Sequence, residues 1–314
     1  MFTDRRLTEA YKNAKVVGFD KKSKYIFFSD SHRGDDSVSD EFTRNQNLFL
    51  HAMNYYYNRG YHYVEAGDGD ELWEYPRFKY IRIAHTDVFL GMKQFFDAKR
   101  LTMLYGNHNI YLKSKDYVRT HYYKYYDEYT QEMQDLFQGI NPIESLVLKH
   151  KETGQEILVI HGHQGDYMND QLWKLSMFML RYFWKFMHVV GFENPASPAR
   201  SLYKRHKVEK AYKKWICKHK MMLICGHTHR QKFPRKDDLP YFNTGCCTRT
   251  KGITGIEIIE DHILLVEWRV RADQNGVLGI YRNVVRGPEP IANYDFKYHK
   301  FNDDSEYQDC EISE

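Results

Sequence analysis

No window of about 18 uncharged apolar residues occurs in this chain, so no membrane-spanning helix is expected. The opening residues, MFTDRRLTEAYKNAK, contain no apolar core, and no secretion signal is expected from them. Cysteine is scarce, with five scattered residues. The odd count and the adjacent pair Cys246 and Cys247 exclude an ordinary disulfide framework. Reduced thiols in the cytoplasm are the expectation. Charge of one sign is lacking too. Lys and Arg number 46 against 42 Asp and Glu, a net +4 that does not suggest a coat for nucleic acid. No internal repeat or low-complexity tract is present. What the chain has instead is aromatic bulk: 26 Tyr and 19 Phe in 314 residues, although mean hydropathy is only -0.71. Much of the core and its rim must therefore be aromatic.

Short apolar runs alternate with helical patterns through the first half. Strands are expected at 24–29 (KYIFFS), 61–66 (YHYVEA) and 101–105 (LTMLY), and helices at 41–59 and 78–98. The Tyr-rich stretch 111–140 is expected to be helical. Residues 146–150 and 156–160 read as a hairpin around Lys151-Glu152-Thr153-Gly154. A mostly helical excursion follows over 167–220, then short strands at 222–225, 241–244, 253–260 and 263–270. The expected fold class is α/β. Residues 1–286 are expected to form one domain. Residues 287–314, rich in Asp and Glu, are expected to be a flexible acidic tail.

Polar clusters recur where the strands end, which is where α/β sheets bind ligands. In order they are Ser29-Asp30-Ser31-His32, Gly67-Asp68, Gly106-Asn107-His108, His161-Gly162-His163 and Gly226-His227-Thr228-His229. Asp30 and His32 alternate along an extended strand end, so both reach one metal ion. Asp68 is a lone carboxylate placed to bridge two. Asn107 offers an amide oxygen, and His161, His227 and His229 offer imidazoles. His227 and His229, two apart on extended chain, point to the same side. Mixed nitrogen and oxygen donors without thiolate suit manganese, iron or zinc. Two such ions about 3.5–4 Å apart clamp the oxygens of a phosphoryl transfer. Asp35, Asp36, Asp70 and Asp166 read as hydrogen-bond acceptors or solvated loop charges. Arg33 is expected to contact a substrate phosphate.

The order and spacing resemble the calcineurin-like metallophosphoesterase superfamily, with its D-x-H, G-D, G-N-H, H-G and G-H-x-H series, over residues 24–270. The resemblance implies a four-layer αββα sandwich and a dinuclear centre. It implies one ion held by Asp30, His32, Asp68 and His229, and another by Asp68, Asn107, His161 and His227. Manganese comes first, with iron, zinc, nickel or magnesium as alternatives. By the same resemblance a bridging hydroxide attacks phosphorus. His108 stabilises a phosphoryl oxygen or protonates the leaving group, and Glu71 orients it. His163, next to the ligand position His161, is taken as a substrate contact. Asn109 stands where the family usually has an acid.

The excursion carries an aromatic and Met-rich segment, 172–190, with Lys174, Arg181, Lys185 and His188 on one helical face. A second, basic helical segment covers 199–219. The whole is expected either to pack as a helical hairpin on the sandwich or to form a helical, membrane-facing cap over the centre. A similar insertion occurs in the branch that contains UDP-2,3-diacylglucosamine pyrophosphatase, which however has arginine after G-N where this chain has His108. The expected activity is hydrolysis of a phosphodiester, pyrophosphate or phosphomonoester, on a small, nucleotide-linked or lipid-linked substrate. Peripheral contact with the inner face of a membrane is expected, and nucleic acid is not an expected partner. A serine/threonine protein phosphatase, a nuclease and a metal-free binding scaffold are the alternatives.

Overall fold

Tyr25–Phe28 and Tyr63–Ala66 are buried without a break, as strands covered on both faces must be. The computed structural model describes residues 2–184 and 201–301. Its strands are β1 (Lys15–Phe19), β2 (Lys24–Phe28), β3 (His62–Ala66), β4 (Leu101–Leu104), β5 (Lys124–Asp127), β6 (Glu132–Asp135), β7 (Ser145–His150), β8 (Glu156–Ile160), β9 (Met222–Cys225), β10 (Tyr241–Asn243), β11 (Ile253–Ile259), β12 (His262–Ala272) and β13 (Leu278–Pro290). The helices are α1 (Phe2–Lys12), α2 (Gln46–Asn58), α3 (Phe78–Ala84), α4 (Thr86–Asp97), α5 (Lys115–Tyr122), α6 (Tyr167–Asp170), α7 (Trp173–Met179) and α8 (Leu202–His219). The fold is mixed α/β. One sheet runs β13-β12-β11-β2-β3-β4, with β2, β3 and β4 parallel and the rest antiparallel. The other runs β1-β7-β8-β9-β10, parallel except for the β7–β8 hairpin.

Successive strand residues point to opposite faces, and the core divides accordingly. Phe27, Val64, Leu104 and Ile256 of the six-stranded sheet share one cluster with Leu148, Val159, Ile224 and Phe242 of the five-stranded sheet. Phe28, Tyr63 and Met103 face the other way, onto Phe49, Ala52 and Tyr56 of α2 and Val88 and Met92 of α4. Leu158, Ile160 and Leu223 do the same on the second sheet, onto Leu7 and Ala10 of α1 and Tyr212, Trp215 and Ile216 of α8. Because β2, β3, β4, β8 and β9 are held on both faces, their ends are fixed points from which the loops project.

Several sequence expectations are corrected. Residues 111–140 hold only one α-helix, α5; the rest includes the two-stranded β5–β6 ribbon, whose turn Asp127 caps through the Tyr129 N–H at 2.8 Å. The helix expected over 78–98 is two, α3 and α4, meeting at buried His85, which bonds Asp40 Oδ2 at 2.8 Å. Strand β13 runs to Pro290, pinned by Arg282 Nε on buried Glu257 at 2.7 Å, and Ile291 and Tyr294 are buried beyond it. Acidic positions from Asp303 onward lie outside the described residues. The expected insertion also divides. Helix α8 is a layer of the main body, with the Tyr212 hydroxyl on the Gly162 carbonyl. That leaves 167–184 as the described part of the excursion. No described helix is long and apolar enough to cross a membrane.

Candidate metal centre

Five loops bring the polar clusters together: those after β2, β3 and β4 from one sheet, and after β8 and β9 from the other. The backbone there is not extended, as the sequence reading had it. Eleven described non-glycine residues have positive φ, and five of them are Asp30 (52°), His32 (46°), Asp68 (50°), His227 (65°) and His229 (52°). Left-handed backbone is uncommon for such residues and clusters where function needs it. The D-x-H and H-x-H pairs thus turn their side chains inward through sharp local turns. Two glycines make room. A Cβ on Gly106 would collide with the Asp68 carboxylate, and one on Gly226 with Ser29 Oγ and Asp30 Oδ2.

One group of donors gathers Asp30, His32 and His229. His229 Nε2 lies 3.1 Å from Asp30 Oδ1, and His32 Nε2 lies 3.8 Å from the same oxygen. Asp30 Oδ2 accepts the His227 N–H at 3.0 Å and the Ser29 hydroxyl. A second group gathers Asp68, His161 and His227. Asp68 Oδ2 is 3.0 Å from His161 Nε2 and 3.9 Å from His32 Nε2, so it stands between the two groups. Asp68 Oδ1 accepts the His108 N–H at 2.8 Å. Asn107 Oδ1 and His227 Nε2 are buried and have no hydrogen-bond partner, and His161 Nε2 has only the Asp68 carboxylate beside it. Buried polar atoms are rarely left so. Two orphaned donor atoms and an imidazole set against a carboxylate fit a divalent cation. His161 Nδ1 sits on the Ala66 carbonyl at 3.1 Å, which turns Nε2 inward.

Charge supports the fit. The Asp68 carboxyl is held well below the usual range: burial opposes its charge, but His161 and His108 overcome that. Burial likewise opposes charge on His229, yet Asp30 beside it pushes the imidazole up to about 10. His32 and His161 are raised as well. The carboxylates of the cluster thus draw positive charge, which protonated histidines supply where no cation is bound.

His108 sits at the rim, its side chain 19% exposed. Its Nδ1 is 2.6 Å from Glu71 Oε2, and the same oxygen is 2.7 Å from His32 Nδ1. Glu71 therefore touches both a candidate ligand and the candidate acid. Burial opposes the Glu71 charge, but the two histidines bring its carboxyl down to about 2. His163 is buried, its ring 5.6 Å from that of His161, and it lines a neighbouring cavity. Arg33 is not where the sequence reading put it. It is fully buried, with Nε on Asp70 Oδ1 and Nη1 on Glu65 Oε1, both at 2.7 Å. Both bonds point into the protein, so Arg33 ties the β2 and β3 loops together instead of meeting a phosphate.

Asp166, expected as a hydrogen-bond acceptor or loop charge, brings Oδ2 within 3.7 Å of His227 Nε2. Trp73, which the sequence did not signal, stacks on His108, and Arg181 from the basic helical face reaches back to it. Cys246 lies beside His229; burial works against its ionisation, but that imidazole lowers the thiol to about 7. The Gly245-Cys246-Cys247 turn after β10 was a local hint that this loop packs closely. Lys185 and His188 lie outside the described residues.

No protein-family model matches the chain, and no curated protein matches it. Among solved structures, it is similar to Vps29 from Chaetomium thermophilum, with 12% identity, 86% of this chain and 99% of that one covered, and a TM-score of 0.38. It is also similar to the cold-active protein-tyrosine phosphatase of a psychrophile Shewanella species, with 12% identity, 88% and 84% covered, and a TM-score of 0.37.

Proposed function

We propose that this chain is a metal-dependent phosphoesterase of the calcineurin-like type, built as a four-layer αββα sandwich. The observation that carries this is the meeting of six donors, Asp30, His32, Asp68, His161, His227 and His229, with Asp68 between two groups, His108 at the rim and the buried Asn107 Oδ1 without a hydrogen-bond partner. Helices on both outer sheet faces and a shared inner cluster support the layering. Asp30, His32, Asp68 and His229 would hold one divalent cation, and Asp68, Asn107, His161 and His227 a second. Such a pair polarises a phosphoryl oxygen and lowers the pKa of water.

The remaining work falls to the protein's own groups. Glu71 holds Nδ1 of His108, which leaves Nε2 for the substrate. A proton on Nε2 passes to the leaving oxygen as the P–O bond breaks. The Asp68 carboxylate fixes the backbone of His108 through its N–H, so the acid and the bridge keep their distance.

Beside the centre lies a cavity of about 900 Å³, running from Tyr105 and His163 out to Tyr111, Lys113, Trp173 and Lys174. This open space is partly aromatic and carries both basic and acidic side chains, Glu144 and Asp170 among them, and it has room for a phosphorylated small molecule. A lipid-linked substrate, and with it contact with an anionic membrane, is favoured by Leu175, Phe178, Met179 and Tyr182. These are exposed together at or just beyond α7, beside exposed Lys174.

A metal-supplemented activity panel tests the reading. It compares bis-para-nitrophenyl phosphate, para-nitrophenyl phosphate, a UDP-sugar lipid, a phosphopeptide and single-stranded DNA. Turnover of the diester or the lipid pyrophosphate, dependent on added manganese, is expected. Activity on the phosphopeptide alone would hand the site to a protein phosphatase, and no activity with any metal would make the chain a scaffold.

A further inference from the structure

Two segments flank His108, and the helical excursion grips both. On one side, Trp73 lies over the His108 imidazole with ring centroids 4.2 Å apart and planes 25° from parallel. Arg181 donates Nε to the Trp73 carbonyl at 2.6 Å and Nη2 to the Leu72 carbonyl at 3.0 Å. On the other side, Tyr111 follows His108 by three residues. Its ring meets Trp173 edge-on at 5.8 Å, and its hydroxyl reaches Met177 Sδ at 3.1 Å. Trp173, Met177 and Arg181 all belong to the excursion.

The 71–74 turn is one unit. Glu71 Oε1 accepts the N–H groups of Trp73 and Glu74, each at 3.2 Å, while Oε2 holds His108. The two carbonyls of that turn could have been left to water. Instead a guanidinium takes both. Its planar fork fixes direction as well as distance, which an ammonium cannot do, and bonds from a charged donor exceed neutral ones.

We infer that Arg181 is a positioning residue for His108. By clamping Leu72 and Trp73 it fixes the indole and the carboxylate that aim the imidazole, so the seating of the excursion sets how well a proton reaches the leaving group. This rests on the reading of His108 as the acid. Substrates with poor leaving groups, such as phenoxide or a sugar alkoxide, depend on the clamp. Nitrophenyl esters, whose leaving groups need no proton, depend on it least.

The test uses the full chain with metal bound and a series of aryl methyl phosphodiesters from nitrophenyl to phenyl. His108→Ala is the reference. Arg181→Ala should lower kcat on the phenyl ester by roughly 10- to 100-fold, the scale for misplacing a catalytic group, with a smaller loss on the nitrophenyl ester and little change in KM or metal content. Arg181→Lys should recover part of the loss. A second reading needs no turnover: in metal-free protein with labelled histidine, the His108 ring protons should resonate upfield under the Trp73 indole and lose that shift in Arg181→Ala. If His108→Ala is selective for the phenyl ester and Arg181→Ala is not, the clamp is wrong. If His108→Ala shows no selectivity, the acid reading fails, and the His108 resonance decides the positioning alone. A resonance unmoved in Arg181→Ala overturns it.

Discussion

His32 Nε2 and His229 Nε2 face each other at 3.1 Å, although 197 residues separate them in the chain. Two ring nitrogens in such contact compete for one proton or share one cation. Asp30 Oδ1, 3.1 Å from His229 Nε2 and 3.8 Å from His32 Nε2, completes the triangle.

Asp68 stands between the two donor groups, so its loss should affect both ions. Asp68→Asn keeps the shape but removes the negative charge of the bridge. Elemental analysis should find less than two metals per chain, and turnover should be abolished. Two metals bound at unchanged affinity would show that another group bridges.

Metal affinity and the stability of the metal-free protein should move in opposite directions with pH. In His32, His161 and His229, burial opposes the charge and neighbouring carboxylates override it, so their folded pKa values are raised, to about 10 for His229. Stability from a raised histidine is complete below its unfolded pKa, about 6.5, and is lost as pH climbs through the folded value. His163 and His227 are lowered, chiefly by burial, and make stability rise with pH below about 6.5. Cys246, lowered to about 7, offsets part of the loss above that pH. The metal-free protein should therefore be most stable near pH 6.5 and weaken toward pH 9, while metal, which must displace those protons, binds more tightly over the same range. Thermal melts with chelator and with manganese check this. A metal-free Tm that keeps rising to pH 9 would contradict it.

Arg33 should matter for folding and not for substrate. Its buried pairs with Glu65 and Asp70 leave two carboxylates uncompensated when the guanidinium is removed, a loss of about 3–5 kcal/mol. Urea unfolding of Arg33→Ala should show that loss, and the surviving folded enzyme should keep its KM. Normal stability with a raised KM would return Arg33 to the substrate.

The exposed apolar group at α7 should meet lipid. Flotation with anionic vesicles should recover the wild type, more so at low salt. Replacing Leu175, Phe178 and Tyr182 with Ser should release it, since each buried side chain contributes about 1.5–3 kcal/mol. A wild type that stays at the bottom of the gradient would make the small soluble diester the favoured substrate.

The sequence by itself determined the strands that carry the centre and the polar groups at their ends, while β1, the β5–β6 ribbon and β13 left no such pattern. Apolar runs such as Tyr25–Phe28 and Ile157–Ile160 can be satisfied only as strands buried on both faces, and the residues just past them must then share one edge. That is why Asp30, Asp68, Asn107, His161, His227 and His229 stand out in the sequence alone. Local pattern did not show how the backbone turns at those ends. Left-handed φ at Asp30, His32, Asp68, His227 and His229 is imposed by packing between two sheets, against local preference. Only the tertiary structure decided the fate of Arg33, because the carboxylates that bury it come from a neighbouring strand and loop. It alone gave Trp73 and Arg181 a place at His108, because stacking and carbonyl capture across 108 residues leave no periodic trace in the chain.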